Sequence, residues 1–209
     1  MEDNTLLSAM LSRRSVSPKR LCGPGPSRDE LGVLVDTALR APDHGGLLPW
    51  RLVVFPDSRR SQLADVFEAE KRHRDPVATD EDLARAREHA THAPVVLAFI
   101  VRPQHNVLVP MYEQWLSAGA ALGNLLLAAH TMGYGAIMLS GERCQDEGVR
   151  AALGIRSDET LTGFVSIGAI AKAPPPAARP ARNAVLSTWA PSLHETVNST
   201  EVVHATVSS

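Results

Sequence analysis

The sequence predicts a layered α+β fold, in which helices cover a sheet of few strands. Segments with apolar residues at helical spacing are interleaved with short β-rich or wholly apolar runs. The strand-like runs are few, and the first crossover between them is long, which favours a mixed architecture over a regular alternation of strand and helix. The order of the strands does not follow from this pattern.

The first part of the chain contains two helix signals separated by a loop. Residues 4–11 form a short predicted helix, and the prolines and glycines of residues 18–26 then force a loop. Ser27 and Glu30 have the spacing of a capping box, followed by apolar residues at helical spacing. This second helix must end before Pro42, because the residue before a proline is disfavoured in helical geometry.

The remaining predicted elements follow in order along the chain. They are a strand at 51–55, a helix from a Ser58 cap to about residue 73, an exposed helix at 80–92, a strand at 94–101, a helix at 113–132, a strand at 135–139, a helix at 145–153 and a strand at 161–168. The 94–101 run is almost wholly apolar, so we expect both of its faces to be covered. Small residues spread around the 113–132 helix allow close packing against another backbone, including one from a second subunit.

The composition limits the class of protein. A length of 209 residues suits one domain with an appendage. The 21 basic and 23 acidic residues give a net charge of −2, without the basic excess of a nucleic-acid or membrane-surface binder. The two cysteines, Cys22 and Cys144, are too few for a disulfide framework and favour a reducing compartment. No secretory signal opens the sequence, and the most apolar stretch, 115–129, is too short to span a bilayer, so we expect a cytoplasmic protein.

The composition of the sequence changes after Lys172. Residues 173–182 are rich in proline and alanine with scattered arginines, and residues 183–209 show no sustained period. We therefore expect a folded domain at 1–172 and an extended arm or flexible tail at 173–209.

Several familiar catalytic motifs are missing. The sequence has no GxxxxGK[ST], no GxGxxG between a strand and a helix, no HExxH and no GxSxG, so hydrolase and kinase chemistry has no local support. His89 and His92 are three residues apart and can share a helix face. No third ligand of suitable spacing accompanies them, which favours solvated histidines over a metal site.

A candidate anion site lies at the end of the first predicted helix. Arg13, Arg14 and Ser15 place two guanidinium groups and a hydroxyl together, and arginine makes two-pronged contacts with phosphate oxygens. The alternative is that these cations complement the negative end of the helix. From the tripeptide alone, that structural interpretation is favoured.

The second candidate is the loop at residues 40–51, which leads into a strand. Its two prolines, two glycines and an aspartate predict a rigid loop, and ligand-binding groups tend to lie on such loops. Arg40 and His44 fit ligand binding and a structural turn equally well. Trp50 is better explained as an anchor in the core.

The third candidate is the segment at residues 133–141. A strand that ends in Ser140 and Gly141 before a helix exposes backbone N–H groups at its tip. Such donors can hold an anion or the polar edge of a planar ring. Taken alone, the segment also fits an ordinary turn between a strand and a helix.

Together and in this order, these segments resemble the FMN-dependent nitroreductase family, in particular its small single-domain bacterial members. The matching stretches are LSRRS near the start, RAPDH followed by PWRLVVF, EQWLSAGAA on the long helix, MGYGAIMLSG, and a late GFVSIG. The resemblance covers about residues 5–172. No single stretch is specific, but their order and spacing together are.

The resemblance implies a three-layer α+β sandwich, with a central, mainly antiparallel sheet flanked by helices, that forms an intertwined homodimer with FMN across the subunit interface. The FMN-binding residues that it implies are Arg13, Arg14, Ser15, Arg40, His44, Met138, Leu139 and Ser140. Arg40 and His44 would come from the partner subunit. On weaker grounds, it places NADH or NADPH at Ala128, Ala129, His130, Thr131, Met132 and Gly133.

The implied activity is transfer of a hydride from NADH or NADPH through flavin N5 to a nitroaromatic, a quinone or a related small-molecule acceptor. Because the cofactor carries this chemistry, no catalytic side chain or metal is required. Relatives usually place Gln where this chain has Leu48, and close relatives carry Trp-Arg where it has Met138 and Leu139. These departures leave an alternative open, an FMN-binding storage or sensor module with little turnover. A scaffold that has lost flavin is disfavoured, because paired arginines beside an empty pocket would repel each other.

Overall fold

A five-stranded sheet lies at the centre of the computed structural model, which describes residues 5–105 and 108–189. The helices are α1 (Thr5–Ser12), α2 (Arg28–Ala38), α3 (Arg60–Arg74), α4 (Asp80–Thr91), α5 (Met111–Thr131) and α6 (Glu147–Ala152). The strands are β1 (Leu21–Cys22), β2 (Trp50–Val54), β3 (Val95–Val101), β4 (Gly135–Leu139) and β5 (Thr160–Ile170). None of the helices between residues 5 and 189 combines the length and the apolar content that a bilayer crossing needs.

The long last strand organises the sheet. β5 pairs with β3 and with β4, its end pairs with β1, and β2 lies outside β3. Every one of these ladders is antiparallel. The predicted α+β class with a mainly antiparallel sheet is therefore confirmed. The two-residue strand β1 was not predicted, because it lies within the loop rich in proline and glycine.

Helices cover both faces of the sheet. Successive residues of β3 point to opposite sides, so that Ile100 joins a core with Phe67 of α3, whereas Phe99 joins a core with Leu34 of α2 and Leu125 of α5. The strand at 94–101 is buried on both faces, as its apolar sequence predicts. The sheet and the helices on its two faces are therefore the three layers of the predicted sandwich, with one core on each side of the sheet.

The helix starts follow the sequence signals in one case and not in another. The capping box forms as predicted, since Ser27 Oγ accepts from Glu30 N at 3.3 Å and Ser27 N donates to Glu30 Oε2 at 2.8 Å. The prediction that Ser58 caps the next helix is wrong. Residues Asp57–Arg59 form a 3₁₀ turn, and α3 begins at Arg60 without a side-chain cap.

The helix predicted to be exposed, α4, packs along α3. Its Leu83, Ala86 and Ala90 are buried, so only its other face meets solvent. The buried guanidinium of Arg60 donates to Ala93 O at 2.7 Å, to Pro94 O and to Ala90 O. A cation from α3 thus satisfies the Ala90 carbonyl in the last turn of α4 and the carbonyl groups of Ala93 and Pro94, which follow the helix.

The chain divides into two compact units, Met1–Pro175 and Pro176–Ser209. The described part of the second unit contains one 3₁₀ turn, Arg182–Ala184, and exposes the side chain of Trp189. The expected flexible tail beyond residue 189 lies outside the described residues. The expected boundary after residue 172 stays a prediction.

Candidate functional site

The three residues at 13–15, called the arginine loop below, lie beside the start of β4. Ser15 forms a parallel bridge with Ala136, and the buried Val16 donates its N–H to Ala136 O at 3.1 Å. Gly135 permits this approach, because a Cβ there would lie 3.0 Å from Val16 Cβ. The first and third candidate segments are therefore held together by backbone contacts.

A stretch of chain after β5, the strap (residues 171–175), crosses next to the arginine loop. Arg14 Nη2 donates to Pro175 O, and Arg20 Nη1 donates to Ala173 O at 2.8 Å. The N–H of Ala171 donates to Arg20 O at 2.9 Å. The Arg14 guanidinium is thus oriented by a neutral carbonyl, and within the described ranges no carboxylate compensates its charge.

The end of β4, the strand tip (residues 138–140), presents polar groups next to the sheet. Met138 packs against the core on the α5 side, whereas the neighbouring Leu139 is 38% exposed. The β4–β5 ladder ends at Leu139, and the N–H groups of Ser140 and Gly141 have no backbone acceptor in the part of the chain described. The strand tip lies about 13 Å along β4 from the arginine loop, at roughly 3.3 Å per residue. One strand carries both segments.

His89 and Cys144 lie close to the strand tip, and both are uncharged at neutral pH. Desolvation, and then the charge of Arg143, lowers the pKa of His89, and desolvation raises the pKa of the Cys144 thiol. The nearest polar contact of His89 is to Arg143, with Nδ1 and Nη1 3.4 Å apart. Among residues 5–105 and 108–189, no group of three His, Cys, Asp or Glu side chains could hold a metal ion.

The loop that contains Arg40 and His44 lies against the start of α5. His44 Nδ1 is 2.7 Å from Glu113 Oε2, and the carboxylate of Asp43 accepts from Leu48 N at 2.7 Å. Leu48 has a φ of 47°, in the left-handed region that side chains disfavour. Arg40 is exposed, and its guanidinium has no partner within the described chain. The loop is thus internally braced but presents both candidate side chains to solvent.

The candidate residues fall at opposite ends of α5. Glu113, which holds His44, is in the first turn, whereas His130 is in the last turn and lies 3.1 Å from Ser12 Oγ, next to the arginine loop. At 1.5 Å per residue, Glu113 and His130 are about 25 Å apart along the helix. Within one chain, the structure therefore places the arginine loop and the strand tip on one strand and keeps His44 away from the arginine loop. Arg40 follows α2, whose Thr37 O accepts from Asn124 Nδ2 near the middle of α5.

The segment suggested for the pyridine nucleotide is only partly accessible. The side chains of Ala128 and Ala129 are buried in the core, and Thr131 Oγ1 is bonded to Ala128 O at 2.8 Å. Gly133 ends the helix with a φ of 86°, and its N–H donates to His130 O at 3.0 Å. Thr131 and Gly133 are exposed, whereas His130 and Met132 are half-buried.

Three residues near these segments were not singled out from the sequence. They are Glu113, Arg143 and the buried Glu70. Glu70 follows Leu63 and Phe67 at the spacing of the buried face of α3, and a carboxylate on that face indicates a buried cationic partner. No comparable pattern marks Arg143 or Glu113, because their partners are distant in the sequence.

We expect Gly163→Ala to displace the strand tip and to destabilise the protein by about 1–3 kcal/mol. A Cβ at Gly163 would lie 2.8 Å from the backbone oxygen of Leu139 and 2.9 Å from Met138 Cγ. The Leu139 backbone can yield only by leaving the β4–β5 ladder. Urea unfolding of the variant checks this prediction. Gly32→Ala is the control, and it should be at least as stable as the parent, because a Cβ there meets nothing within 4 Å and alanine favours the helix. A Gly163→Ala protein as stable as the parent would contradict the close approach.

The fold has well-matched counterparts among solved structures. The nitroreductase-like family protein from Bacillus cereus is 20% identical, with a TM-score of 0.75 over 90% of this chain and 98% of that chain. The NADPH:FMN oxidoreductase from Vibrio harveyi, solved with NAD⁺, is 18% identical, with a TM-score of 0.69 over 91% of this chain and 80% of that one. At these identities the likeness establishes the fold alone, which is that of the nitroreductases.

Sequence comparison gives the family. The model of the nitroreductase family matches residues 10–169. The Escherichia coli (strain K12) protein named "Putative NAD(P)H nitroreductase YdjA" is 31% identical over 165 residues, which cover 78% of this chain and 86% of that protein. The chain belongs to the nitroreductase family, as the order of its motifs predicts.

Proposed function

We propose that the protein is an FMN-dependent oxidoreductase that takes a hydride from NADH or NADPH and reduces a nitroaromatic, a quinone or a related small acceptor. The pairing of the arginine loop with β4 carries this proposal. It aligns guanidinium groups, a hydroxyl and strand-tip N–H groups along one strand. Membership in the nitroreductase family supports the same chemistry.

The residues present fit a phosphorylated, planar cofactor. Arg14 offers a charge that no described carboxylate neutralises, and the Ser15 hydroxyl is exposed next to it. Such groups suit a phosphate, whereas the backbone donors of Ser140 and Gly141 suit the polar edge of a ring. When bound, FMN supplies the two-electron chemistry, so the side chains need only bind, orient and exclude water.

We further propose that the working site needs two copies of the chain. His44 lies about 25 Å along α5 from the arginine loop of its own chain, at 1.5 Å per residue, so the partner subunit would bring His44, and with it Arg40 of the same loop, to the cofactor. In this arrangement Glu113 holds the His44 ring through Nδ1 and leaves Nε2 free to face the ligand.

The exposed surface supports a dimer. α1 has no buried residue, and its Leu7, Met10 and Leu11 are 51%, 54% and 84% exposed. Leu116 of α5 is 68% exposed, on a helix that also carries the exposed glycines 119 and 123. Apolar side chains on adjoining helices mark a surface that another protein covers, and glycines let two backbones approach closely. A second copy of the chain is the occupant that completes the site.

We expect the purified protein to be yellow, and stoichiometric NADH or NADPH to bleach its flavin absorbance in the absence of oxygen. The bleaching follows from hydride transfer into the bound ring. An anaerobic titration with each nucleotide, followed by addition of a nitroaromatic or a quinone, checks it. Tight flavin binding with a colour that resists both nucleotides would reject the reductase and indicate a storage or sensor module.

A further inference from the structure

A cavity of about 350 Å³ opens beside the strand tip, on the side of the sheet that α3 and α4 cover. We call it the tip cavity. It is lined by Phe67, His89, Leu139, Ser140, Arg143, Cys144, Phe164 and Ser166. The exposed members Leu139, Ser140 and His89 form its mouth, and the buried members form its floor.

The floor of the tip cavity is aromatic, with one polar group in it. Phe67 and Phe164 meet edge to face, with ring centroids 4.9 Å apart. Ser166 lies two residues beyond Phe164 on the same face of β5 and is 3% exposed. Its side chain lines the cavity as a polar group beside the two aromatic rings, and its hydroxyl can donate or accept a hydrogen bond.

Arg143 is held rigidly at the wall of the tip cavity. Its Nε donates to Glu70 Oε2 at 2.9 Å, and its guanidinium carbon lies 4.0 Å from the centroid of the Phe67 ring. Glu70 also accepts from Arg74 Nε at 2.6 Å, so one buried carboxylate serves two guanidinium groups. The Nη2 group of Arg143 has no partner in the described part of the protein. A positioned cationic donor therefore remains for a ligand.

Donors outnumber acceptors along the tip cavity. The Arg143 guanidinium can only donate, and its Nη1 lies 3.4 Å from His89 Nδ1. The hydroxyls of Ser140 and Ser166 add two more donors, and no carboxylate lines the cavity. A ligand that satisfies these groups must bring acceptor oxygens, and the two phenylalanines favour a flat ring behind them.

We propose that the tip cavity binds the acceptor-rich edge of a planar aromatic ring, one that bears a carboxylate, a nitro group or a pair of carbonyl oxygens. Arg143 is the residue that holds this edge, and Ser166 completes the contact from the floor. Two sources share this chemistry, an aromatic electron acceptor and the ring of FMN itself. The FMN source, and the participation of either ligand in electron transfer, rest on the proposed function, whereas binding of an aromatic acceptor does not.

The test compares Arg143→Met with the parent and with Arg72→Met. Arg72 is a matched control, because it is an arginine near the end of α3 that pairs with Glu68 and is 64% exposed, outside the tip cavity. Binding of 4-nitrobenzoate to the isolated protein is measured by calorimetry. Release of FMN from the holoprotein on dilution is followed by flavin fluorescence. We expect Arg143→Met to weaken at least one of the two by about 10- to 100-fold and Arg72→Met to change neither.

The two measurements distinguish the sources. Loss of 4-nitrobenzoate binding with unchanged FMN retention assigns the tip cavity to the acceptor, and loss of FMN retention assigns it to the cofactor ring. Unchanged values for both would overturn the proposal. If Arg143→Met fails to fold, Ser166→Val, which removes the floor hydroxyl, takes its place. It must then weaken 4-nitrobenzoate binding or FMN retention. A protein that fails to be bleached by nucleotides would reject the proposed function without affecting the 4-nitrobenzoate result, because that measurement needs no turnover.

Discussion

Arg14→Ala is expected to lower the affinity for FMN by about 10- to 100-fold, equivalent to about 1.5–3 kcal/mol. In the proposed site, Arg14 is the cation that meets the phosphate. The only partner that the structure gives its guanidinium among the described residues is the neutral carbonyl of Pro175. Removing the side chain therefore removes a charge-assisted contact, and no neighbouring carboxylate is released to compensate. Equilibrium dialysis or flavin fluorescence measures the change.

The control for this variant is Arg20→Ala. Arg20 also donates to a carbonyl of the strap, that of Ala173 at 2.8 Å, but the resemblance does not place it in the cofactor site. If the effect of Arg14→Ala came from loosening the strap, both variants would lose FMN to a similar degree. Unchanged flavin retention in Arg14→Ala would remove this residue from the site.

Glu159→Gln is expected to cost about 3 kcal/mol of stability at pH 7, because it breaks a buried ion pair. The Glu159 carboxylate is almost fully buried and accepts from Arg51 Nε at 2.7 Å and from Arg51 Nη2 at 2.8 Å. It also accepts from the N–H of Arg156 at 3.0 Å. Urea unfolding of the variant and the parent measures the loss.

The pKa of Glu159 predicts how the stability lost in Glu159→Gln changes with pH. The hydrogen bonds from Arg51 lower the pKa of Glu159 from 4.5 to about 2 in the folded protein. A lowered pKa means that the stabilisation is complete above pH 4.5 and is lost as the pH falls towards 2. The difference between the parent and Glu159→Gln should therefore shrink by about 2 kcal/mol between pH 7 and pH 3.

Asp158→Asn is the matched control for the buried pair. Asp158 pairs with Arg156 at 3.0 Å, but both side chains are more than half exposed. Exposed pairs contribute about 0–1 kcal/mol, so this variant should unfold close to the parent. Equal losses in Asp158→Asn and Glu159→Gln, or a loss in Glu159→Gln that is the same at both pH values, would contradict the assignment.

Local signals predicted most of the fold, and non-local contacts account for what was missed. The capping box at Ser27, the buried strand ending at Val101 and the strand Gly135–Leu139 each depend on residues close together in the sequence. β1 exists only because Leu21 and Cys22 meet Ile170 and Ala169, which no local pattern announces. The predicted Ser58 cap does not form, because Ser58 lies within the 3₁₀ turn that precedes α3.

The candidate site shows the same division. The motifs mark the arginine loop and the strand tip, and the structure brings these two segments to one strand. The tip cavity could not be predicted, because Phe67, Arg143 and Ser166 come from three elements that are far apart in the sequence. The assignments to individual cofactor atoms stay predictions for the variants above.

In the proposed dimer, the length of α5 sets the distance between the two FMN sites. Glu113 in its first turn holds His44, which would reach one FMN, and His130 in its last turn lies beside the arginine loop, which would bind the other. One inserted residue would lengthen the helix by about 1.5 Å and turn one end by about 100° relative to the other. Surface loops elsewhere can change in length. An insertion or deletion between Glu113 and His130 would instead displace the contributed side chains at both proposed FMN sites at once.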